Sequence, residues 1–597
     1  MLLQAAADEW KEPVAELTVT KGVIGHAASK RSTSSGMVAA AAAKLTPPDP
    51  KSMKLKDAAT WTIAGQPLKR LDTAGKLDGS QVYGIDLKMA GMLSASIRDT
   101  PVHGGKIKSF DGAKAKAMPG VRHVLQVGAG AVAVVADTWW QANKALDAVD
   151  VVYEDNPNSK VTSASIAEVL KAGLDATDNL GIGNKVGDAT AAIAGAAKKI
   201  EAVYATPNLS HVTMEPMNCT AKWTADKCEV WVPTQNGDAA LATCADAAGL
   251  KPEQCDVYKL HLGGGFGRRG AQDYVAKAVL LAKQIPGVPV KLLWSREEDM
   301  RQGWYRPITQ CKLSAGLDAK GDLVGLAMRI TGQSILATVA PARMENGQDF
   351  VVFQGLYPDG PRAAEGGIGY TIPNLTIDYA MRNFHYRPGF WRGVNNNQNA
   401  VYLECFIDEI AKEAGQDPLE FRRKLMAKHP KHLAVLNAVA EKAGWGKTQL
   451  PAGQFRGISQ MMGYASYVAA VADVSVDVKG KARVHRIVMG TDSGYVVNPD
   501  QVEAQIVGSV AYGLGATLYE EMTMKDGRMV QENLDSYEIL KMAEFPKVET
   551  VMVPSGGFWG GVGEPTIMVV GPAVLNAIAA ATGKRVRTLP LKNVKLV

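Results

Sequence analysis

A chain of 597 residues, 46% apolar and 21% charged, is too long for one hydrophobic core and has the balance of an ordinary globular protein of several domains. Its formal charge of +6 is mild, and no dense Lys/Arg stripe runs between aromatics, which excludes a nucleic-acid footprint. The cysteines Cys219, Cys228, Cys244, Cys255, Cys311 and Cys405 form neither a C-x-x-C pair nor a zinc spacing, so an iron–sulfur cluster has no ligand framework here and the thiols read as small buried hydrophobes.

Along the chain, 9–24 reads as a short helix and a strand, followed by the low-complexity run 37–44 and the linker Pro47-Pro48-Asp49-Pro50. A start inside an apparent helix implies that something precedes it. The runs 82–87, 92–97, 121–127 and 131–136 are β-rich and bounded by Gly, Pro and Asp. A helix over 138–147 and a strand over 148–153 complete a compact α+β domain. Past Pro157, strands at 229–232, 257–262 and 290–294 alternate with helices at 272–283 and 401–414. Asp417 as N-cap, Pro418 at the first helical position and Glu420 mark the start of a helix through 421–426. The most apolar stretch, 568–582, is broken by Gly571, Pro572 and Asn576, short of the roughly 18 apolar residues of a membrane span. The first residues lack a signal-peptide pattern, so the expectation is a soluble chain with no export signal of its own.

Two glycine-rich loops stand out. His261 to Gly270 contains Gly263-Gly264-Gly265-Phe266-Gly267-Arg268-Arg269 between a strand and a helix. Gly265, Gly267 and Gly270 match G-x-G-x-x-G, yet Glu297 and Glu298 follow about 27 residues on where a dinucleotide fold expects an acid about 20 on. Three readings stay open: a Rossmann turn, a purely structural turn, or a cradle of backbone N–H groups for an anionic cofactor, with the arginines adding charge-assisted bonds. The second loop, Gly556 to Pro565, holds Glu564 among small residues, either as an ordinary loop carboxylate or as a general base with a raised pKa. The polar run Trp391-Arg392-Gly393-Val394-Asn395-Asn396-Asn397-Gln398 includes an arginine suited to a phosphate, and Gln505 sits on a helix after Asp492-Ser493-Gly494 and Asn498-Pro499. Each of these is structural when taken alone. His429 and His432 read as a solvated helix end.

Taken in order, His211-x-x-Met214-Glu215-Pro216, the glycine loop, the Arg392 loop, Asp492-x-Gly494 with Asn498-Pro499 and Gln505, and Gly561-Val562-Gly563-Glu564-Pro565 resemble the large subunits of the molybdenum hydroxylases, the xanthine oxidase family. The double-arginine loop is most similar to the branch of the isoquinoline 1-oxidoreductase β subunit and the molybdopterin-dependent aldehyde dehydrogenases. The resemblance implies an α+β fold: an N-terminal fragment and linker over 1–54, an α/β-hammerhead domain over 55–157, and an elongated multi-subdomain molybdopterin-binding catalytic region over 158–597. It implies molybdopterin, in the cytosine dinucleotide form, carrying a molybdenum held by the pterin and by no protein side chain.

By the same resemblance Glu564 is the catalytic base, taking the proton of a hydroxyl that attacks an electrophilic carbon as hydride leaves for the metal centre. Gly264, Gly265, Phe266, Gly267, Arg268, Arg392, Gly393, Gln505 and Gly563 bind the cofactor. Phe266 and Gly267 lie on its oxo and pterin side, Arg392 offers donors, and Gln505 holds the pterin phosphate region. The implied activity is oxidation of aldehydes to carboxylic acids with water as oxygen source. The alternative is hydroxylation of an N-heteroaromatic such as isoquinoline, and a Rossmann-type NAD or flavin oxidoreductase is the remaining one. The implied partners are a small [2Fe–2S] subunit, a cytochrome c subunit, and a small chain supplying the Met-Gly-Gln-Gly segment that this sequence does not contain. The implied location is periplasmic, or membrane-associated through a partner, and otherwise cytoplasmic.

Overall fold

The computed structural model describes residues 1–597, which form two compact units, 1–66 and 67–597. In the first, helix α1 (Leu2–Trp10) packs with an antiparallel sheet of β1 (Leu17–Thr20), β2 (Val23–His26) and β3 (Arg31–Ser34). Ala6, Leu17 and Ile24 form its core. The helix covers the opening residues that read as helical, and Lys11, turning left-handed, ends it before the strand β1.

In the second unit a short helix over Thr73–Asp78 precedes β4 (Leu93–Asp99), β5 (Ile107–Asp111), β6 (Val121–Val127), β7 (Ala131–Ala136), α2 (Trp139–Leu146) and β8 (Asp150–Tyr153). The run 82–87 is a turn, not the expected strand. Ile85 donates its N–H to the Glu215 carboxylate at 2.9 Å, and a Cβ on Gly84 would come within 2.5 Å of Asn218, so remote residues fix its path. Next come β9 (Leu180–Val186), β10 (Lys198–Thr206), β11 (Asn218–Trp223), β12 (Cys228–Val232), α3 (Gly237–Ala248), β13 (Cys255–Lys259), α4 (Asp273–Ala282) and β14 (Val290–Leu293). Then follow β15 (Thr309–Leu317), β16 (Leu323–Gly332) and β17 (Leu375–Met381).

One sheet runs β13-β12-β11-β14-β4-β7-β6, and a second runs β10-β15-β16-β17-β9. Because β4 pairs parallel with β14, the strands β4, β6 and β7 share a sheet with residues 218–293, while β5 and β8 pair antiparallel in a small sheet of their own. This topology also removes the Rossmann reading. β13, which leads into the glycine loop, is an edge strand, and β11 runs antiparallel to both its neighbours, so no doubly wound parallel sheet exists. All six cysteines are buried thiols, with Cys228 and Cys244 3.5 Å apart between β12 and α3.

The C-terminal half contains α5 (Asn396–Glu413), α6 (Pro418–Leu425), α7 (Pro430–Ala443), a sheet of β18 (Gln454–Gly463), β19 (Ser466–Val476), β20 (Ala482–Asp492) and, after α8 (Pro499–Leu518), β21 (Lys547–Met552), and finally α9 (Val570–Thr582). Asp417 caps α6 as expected, accepting from Leu419 and Glu420 N–H. Helix α5 starts before the expected residue 401. The carboxamides that read as loop are buried in its first turn, where Asn397 and Asn399 donate to the carbonyls of Arg392, Val352 and Gln354. His432 is likewise buried rather than solvated: it bonds Gln460 at 2.8 Å, and burial pulls its pKa down to about 4.

The stretch Pro565–Thr582 is apolar and long enough to span a membrane by composition, and 83% of it is buried within the fold. Its α9 portion lies directly on β18, where a Cβ on Gly457 would meet the Ala573 carbonyl at 2.2 Å. Beside it, Arg422 and Glu404 form an ion pair with no exposure on either side (2.9 Å), and Gln460 N–H also donates to the carboxylate. Removing one partner leaves an uncompensated charge in the core. Arg422→Met is therefore expected to destabilise the chain by about 3–5 kcal/mol, read as a lower denaturant midpoint. An unchanged midpoint would show that the pair is not needed.

Candidate active site

The glycine loop leaves edge strand β13 and enters α4 through Gly264, Phe266 and Gly267, at φ of 94°, 53° and 105°. The requirement for glycine comes from the protein itself. A Cβ on Gly267 would lie 1.7 Å from the Phe390 carbonyl oxygen, and one on Gly265 would lie 2.4 Å from the Gln235 amide oxygen. Contrary to expectation, these two glycines permit close packing of the protein's own chain rather than only of a ligand. Arg269, wholly buried, donates to Gly264 O (2.8 Å), Glu215 O (2.6 Å) and the Glu215 carboxylate (3.1 Å). Glu215 in turn accepts from Gly263 N–H at 2.7 Å. The expected cofactor ligand Arg268 is also turned inward, in a bidentate pair with Asp273 (2.8 and 3.1 Å). Its guanidinium cannot serve as a free clamp, because a buried cation takes the nearest carboxylate.

The Arg392 loop meets this structure from the other side. Arg392 N–H donates to Phe266 O at 2.9 Å. Its guanidinium donates to Gly563 O (2.8 Å), to the Gln505 carbonyl and amide oxygens (3.1 and 3.0 Å) and to Ser509 Oγ (3.0 Å). Gly393 N–H donates to Glu564 Oε1 at 2.8 Å. One arginine thus gathers Phe266, Gln505 and Gly563, and its neighbour holds the candidate base. Gly264 stays close by, over the Phe266 ring. Gln505 is exposed on α8, with its amide oxygen committed to Arg392. Every acceptor in contact with Arg392 is neutral, so its positive charge is buried without a directly bonded carboxylate, and Glu564 acts on it only at longer range.

Glu564 is half-buried. Burial raises its pKa, while the Gly393 N–H, the Arg392 charge and the Tyr464 hydroxyl pull the other way without reversing the shift. Its loop is zipped to the Asp492-Ser493-Gly494 turn, with Gly560 N–H on Ser493 O (2.8 Å) and Tyr495 N–H on Phe558 O (3.0 Å). The aspartate of that string holds the turn and accepts from Gly494 N–H. Beside the carboxylate, a Cβ on Gly563 would meet nothing within 4 Å.

Sequence reasoning missed the aromatic wall and the strain. Phe266 stacks on Tyr512 (4.5 Å), and Tyr512 stacks on Trp391 (4.5 Å). Phe266, Arg392 and Gly508 border a cavity of about 430 Å³ that extends between α8 and residues 534–545. Of the non-glycine residues at positive φ, the β-branched and aromatic ones are Val212 and Phe266, which line this cavity, and Val394 and Tyr464, which pack in one apolar cluster with Phe390, whereas most others are polar turn residues. Such backbone marks functional sites when the surroundings over-determine it. No pattern in Gly463-Tyr464-Ala465-Ser466 signals a left-handed turn, so nothing in the string pointed there.

Comparison with known proteins decides the family. Two models described as molybdopterin cofactor-binding domains match residues 175–426 and 401–546. A membrane-bound aldehyde dehydrogenase of Gluconacetobacter polyoxogenes, named for pyrroloquinoline quinone, is 30% identical over 92% of this chain and 74% of its own length. The chain belongs to the xanthine oxidase family of molybdopterin-dependent oxidoreductases. The isoquinoline 1-oxidoreductase β subunit of Brevundimonas diminuta is 28% identical over 99% of this chain and 80% of its own. The quinoline 2-oxidoreductase structure from Pseudomonas putida 86 shares the fold, with a TM-score of 0.75 at 17% identity over 89% of this chain and 97% of that one. The aldehyde oxidoreductase of Desulfovibrio gigas shares it at a TM-score of 0.71 and 18% identity over 93% and 82%.

The residues present fit a molybdopterin group. A buried cation bonded only to neutral acceptors, open space at Gly563 and an adjoining cavity suit an anionic cofactor lying against Phe266, Arg392 and Gly563. In the cofactor-free chain, Gly267→Ala is expected to cost roughly 2–5 kcal/mol from strain and overlap. Gly563→Ala should leave the unfolding midpoint unchanged while lowering bound molybdenum after loading. Full molybdenum content in Gly563→Ala would place the cofactor elsewhere.

Proposed function

We propose that this chain is the catalytic, cofactor-holding subunit of an enzyme that oxidises aldehydes to carboxylic acids with water as the oxygen source. The observation that carries the reading is Glu564: a carboxylate whose pKa burial raises, anchored through one oxygen to Gly393 N–H and preceded by Gly563, whose Cβ position is open. Oxidation of an N-heteroaromatic is the second reading, favoured by the near-complete coverage of this chain by the isoquinoline-oxidising relative. Both convert a C–H bond and water into a C–O bond, two electrons and two protons.

In this reading Phe266, Arg392, Gly393 and Gly563 hold molybdopterin, in the cytosine dinucleotide form, with Gln505 at its phosphate end. When bound, the group supplies the two-electron acceptor. Glu564 Oε2, the oxygen not tied to Gly393, accepts the proton from water as the new C–O bond forms. Arg392 fixes the height of the Glu564 loop through Gly563 O, and the Phe266–Tyr512–Trp391 stack excludes water from one side. Electrons leave through a small [2Fe–2S] subunit and a cytochrome c subunit. A further small chain carrying a Met-Gly-Gln-Gly segment completes the cofactor site. The assembly works in the periplasm or at the membrane through a partner.

Two experiments test this. Elemental analysis of the native complex should find about one molybdenum and, for two [2Fe–2S] clusters, about four iron atoms. A quinone without molybdenum would overturn the cofactor assignment, and molybdenum without iron would overturn the iron–sulfur partner. Glu564→Gln should retain molybdenum and lose about 10²-fold or more of turnover, the scale of a lost general base. Because the base works ionised and its pKa is raised, wild-type kcat/KM should increase with pH through a limb above the ordinary carboxylate range. Near-normal turnover in the variant would refute the role.

A further inference from the structure

The base loop is built against a turn that the activity as described above does not use. β18 and β19 are joined through Tyr464 and Ala465, with Gly463 opposite Ser466, and both turn residues are left-handed, at φ of 53° and 59°. That conformation ordinarily selects Gly or Asn. Here it is imposed from outside. Gly561 N–H donates to Tyr464 O (2.7 Å), Ser466 Oγ donates to Gly561 O (2.6 Å), and Ala465 N–H donates to Ala364 O (2.6 Å). A Cβ on Gly561 would come within 3.0 Å of Tyr464 Cβ. Turn and base loop therefore move as one piece.

The strain delivers a phenol to the base. Tyr464 Oη is buried, acts on Glu564 and Asn396, and closes no well-formed hydrogen bond to either. Asn396 is fully buried, with neither end of its carboxamide bonded, between Gly355 and Gly463, where added Cβ atoms would lie 2.9 and 3.1 Å from it. Unpartnered polar groups in a core are costly unless a partner arrives, and catalytic hydrogen bonds are often long before substrate tightens them. Arg392 and Tyr464 are the titratable groups that act on Glu564, and the Arg392 Nε and Nη2 donors are committed to Gly563, Gln505 and Ser509.

We infer that Tyr464 is a positioning residue whose hydroxyl donates a hydrogen bond to the Glu564 carboxylate, with Asn396 orienting the phenol from behind. The inference rests on the reading of Glu564 as base. Burial holds the phenol pKa well above its ordinary value, so the group stays a donor throughout the working range. A donor stabilises the ionised carboxylate and points its free oxygen at the reacting atom.

The test uses Tyr464→Phe, which keeps the ring and removes the donor. In the cofactor-free full chain, the infrared carbonyl band of protonated Glu564 is identified by its absence in Glu564→Gln. Its titration midpoint should rise by about one pH unit in Tyr464→Phe. In the loaded enzyme, the acid limb of kcat/KM for benzaldehyde with a dye acceptor should move up equally at unchanged molybdenum content. An unmoved midpoint overturns the inference. So does an equal shift in Ala465→Gly, which relaxes the turn and keeps the hydroxyl. Fluorination of the Tyr464 ring at position 3, which strengthens the donor, should move the midpoint down, and no movement again overturns it. Full turnover in Glu564→Gln would remove the base while leaving the infrared test of the hydrogen bond intact.

Discussion

The arrangement of this site depends on one buried guanidinium. Arg392 has no carboxylate in contact, so every hydrogen bond it makes must come from a neutral acceptor, and the fold brings those acceptors from separate places: Gly563 in the base loop, Gln505 and Ser509 on α8. Its own backbone N–H reaches the glycine loop at Phe266. A planar group with donors in a fixed fork tolerates little misplacement of any partner. Four segments distant in sequence are thus held to one geometry, and a positive charge remains beside them that suits an anionic cofactor.

A second arginine does comparable service one layer deeper. Arg269 ties the glycine loop to Glu215, whose carboxylate also receives Ile85 and Gly263 N–H. Both ions are nearly unexposed, so breaking the pair would strand a charge in the core. This inner frame lets the chain keep Phe266 and Val394 in left-handed conformations that bulky residues otherwise avoid. Strain is concentrated where the cofactor and base would meet, and rigidity around it keeps it from relaxing.

The electrostatics of Glu564 follow from the same frame. Burial favours its neutral form, and Gly393 N–H, Arg392 and Tyr464 favour the charged one. The balance leaves a carboxylate more basic than in water but still able to ionise, the compromise a general base needs. Full burial would make it a permanent acid, and full exposure would make it a weak base.

Much of this was legible in the string. Alternation and turn residues located β4, β6, β7, α2 and the Asp417 cap, because these elements are set by local periodicity and capping. The ordered motifs pointed to the family and to Glu564, Arg392 and Phe266. The fate of Arg268 was not legible: two adjacent arginines look alike in sequence, and only the position of Asp273 and Glu215 turns both inward. Nor was the early start of α5, in whose first turn Asn399 donates to the carbonyls of Val352 and Gln354 far back along the chain. Tyr464 lay beyond sequence reasoning altogether. Local residue types determine which segments form helices, strands and turns, whereas a strained turn and a buried polar contact exist only when distant backbone closes around them.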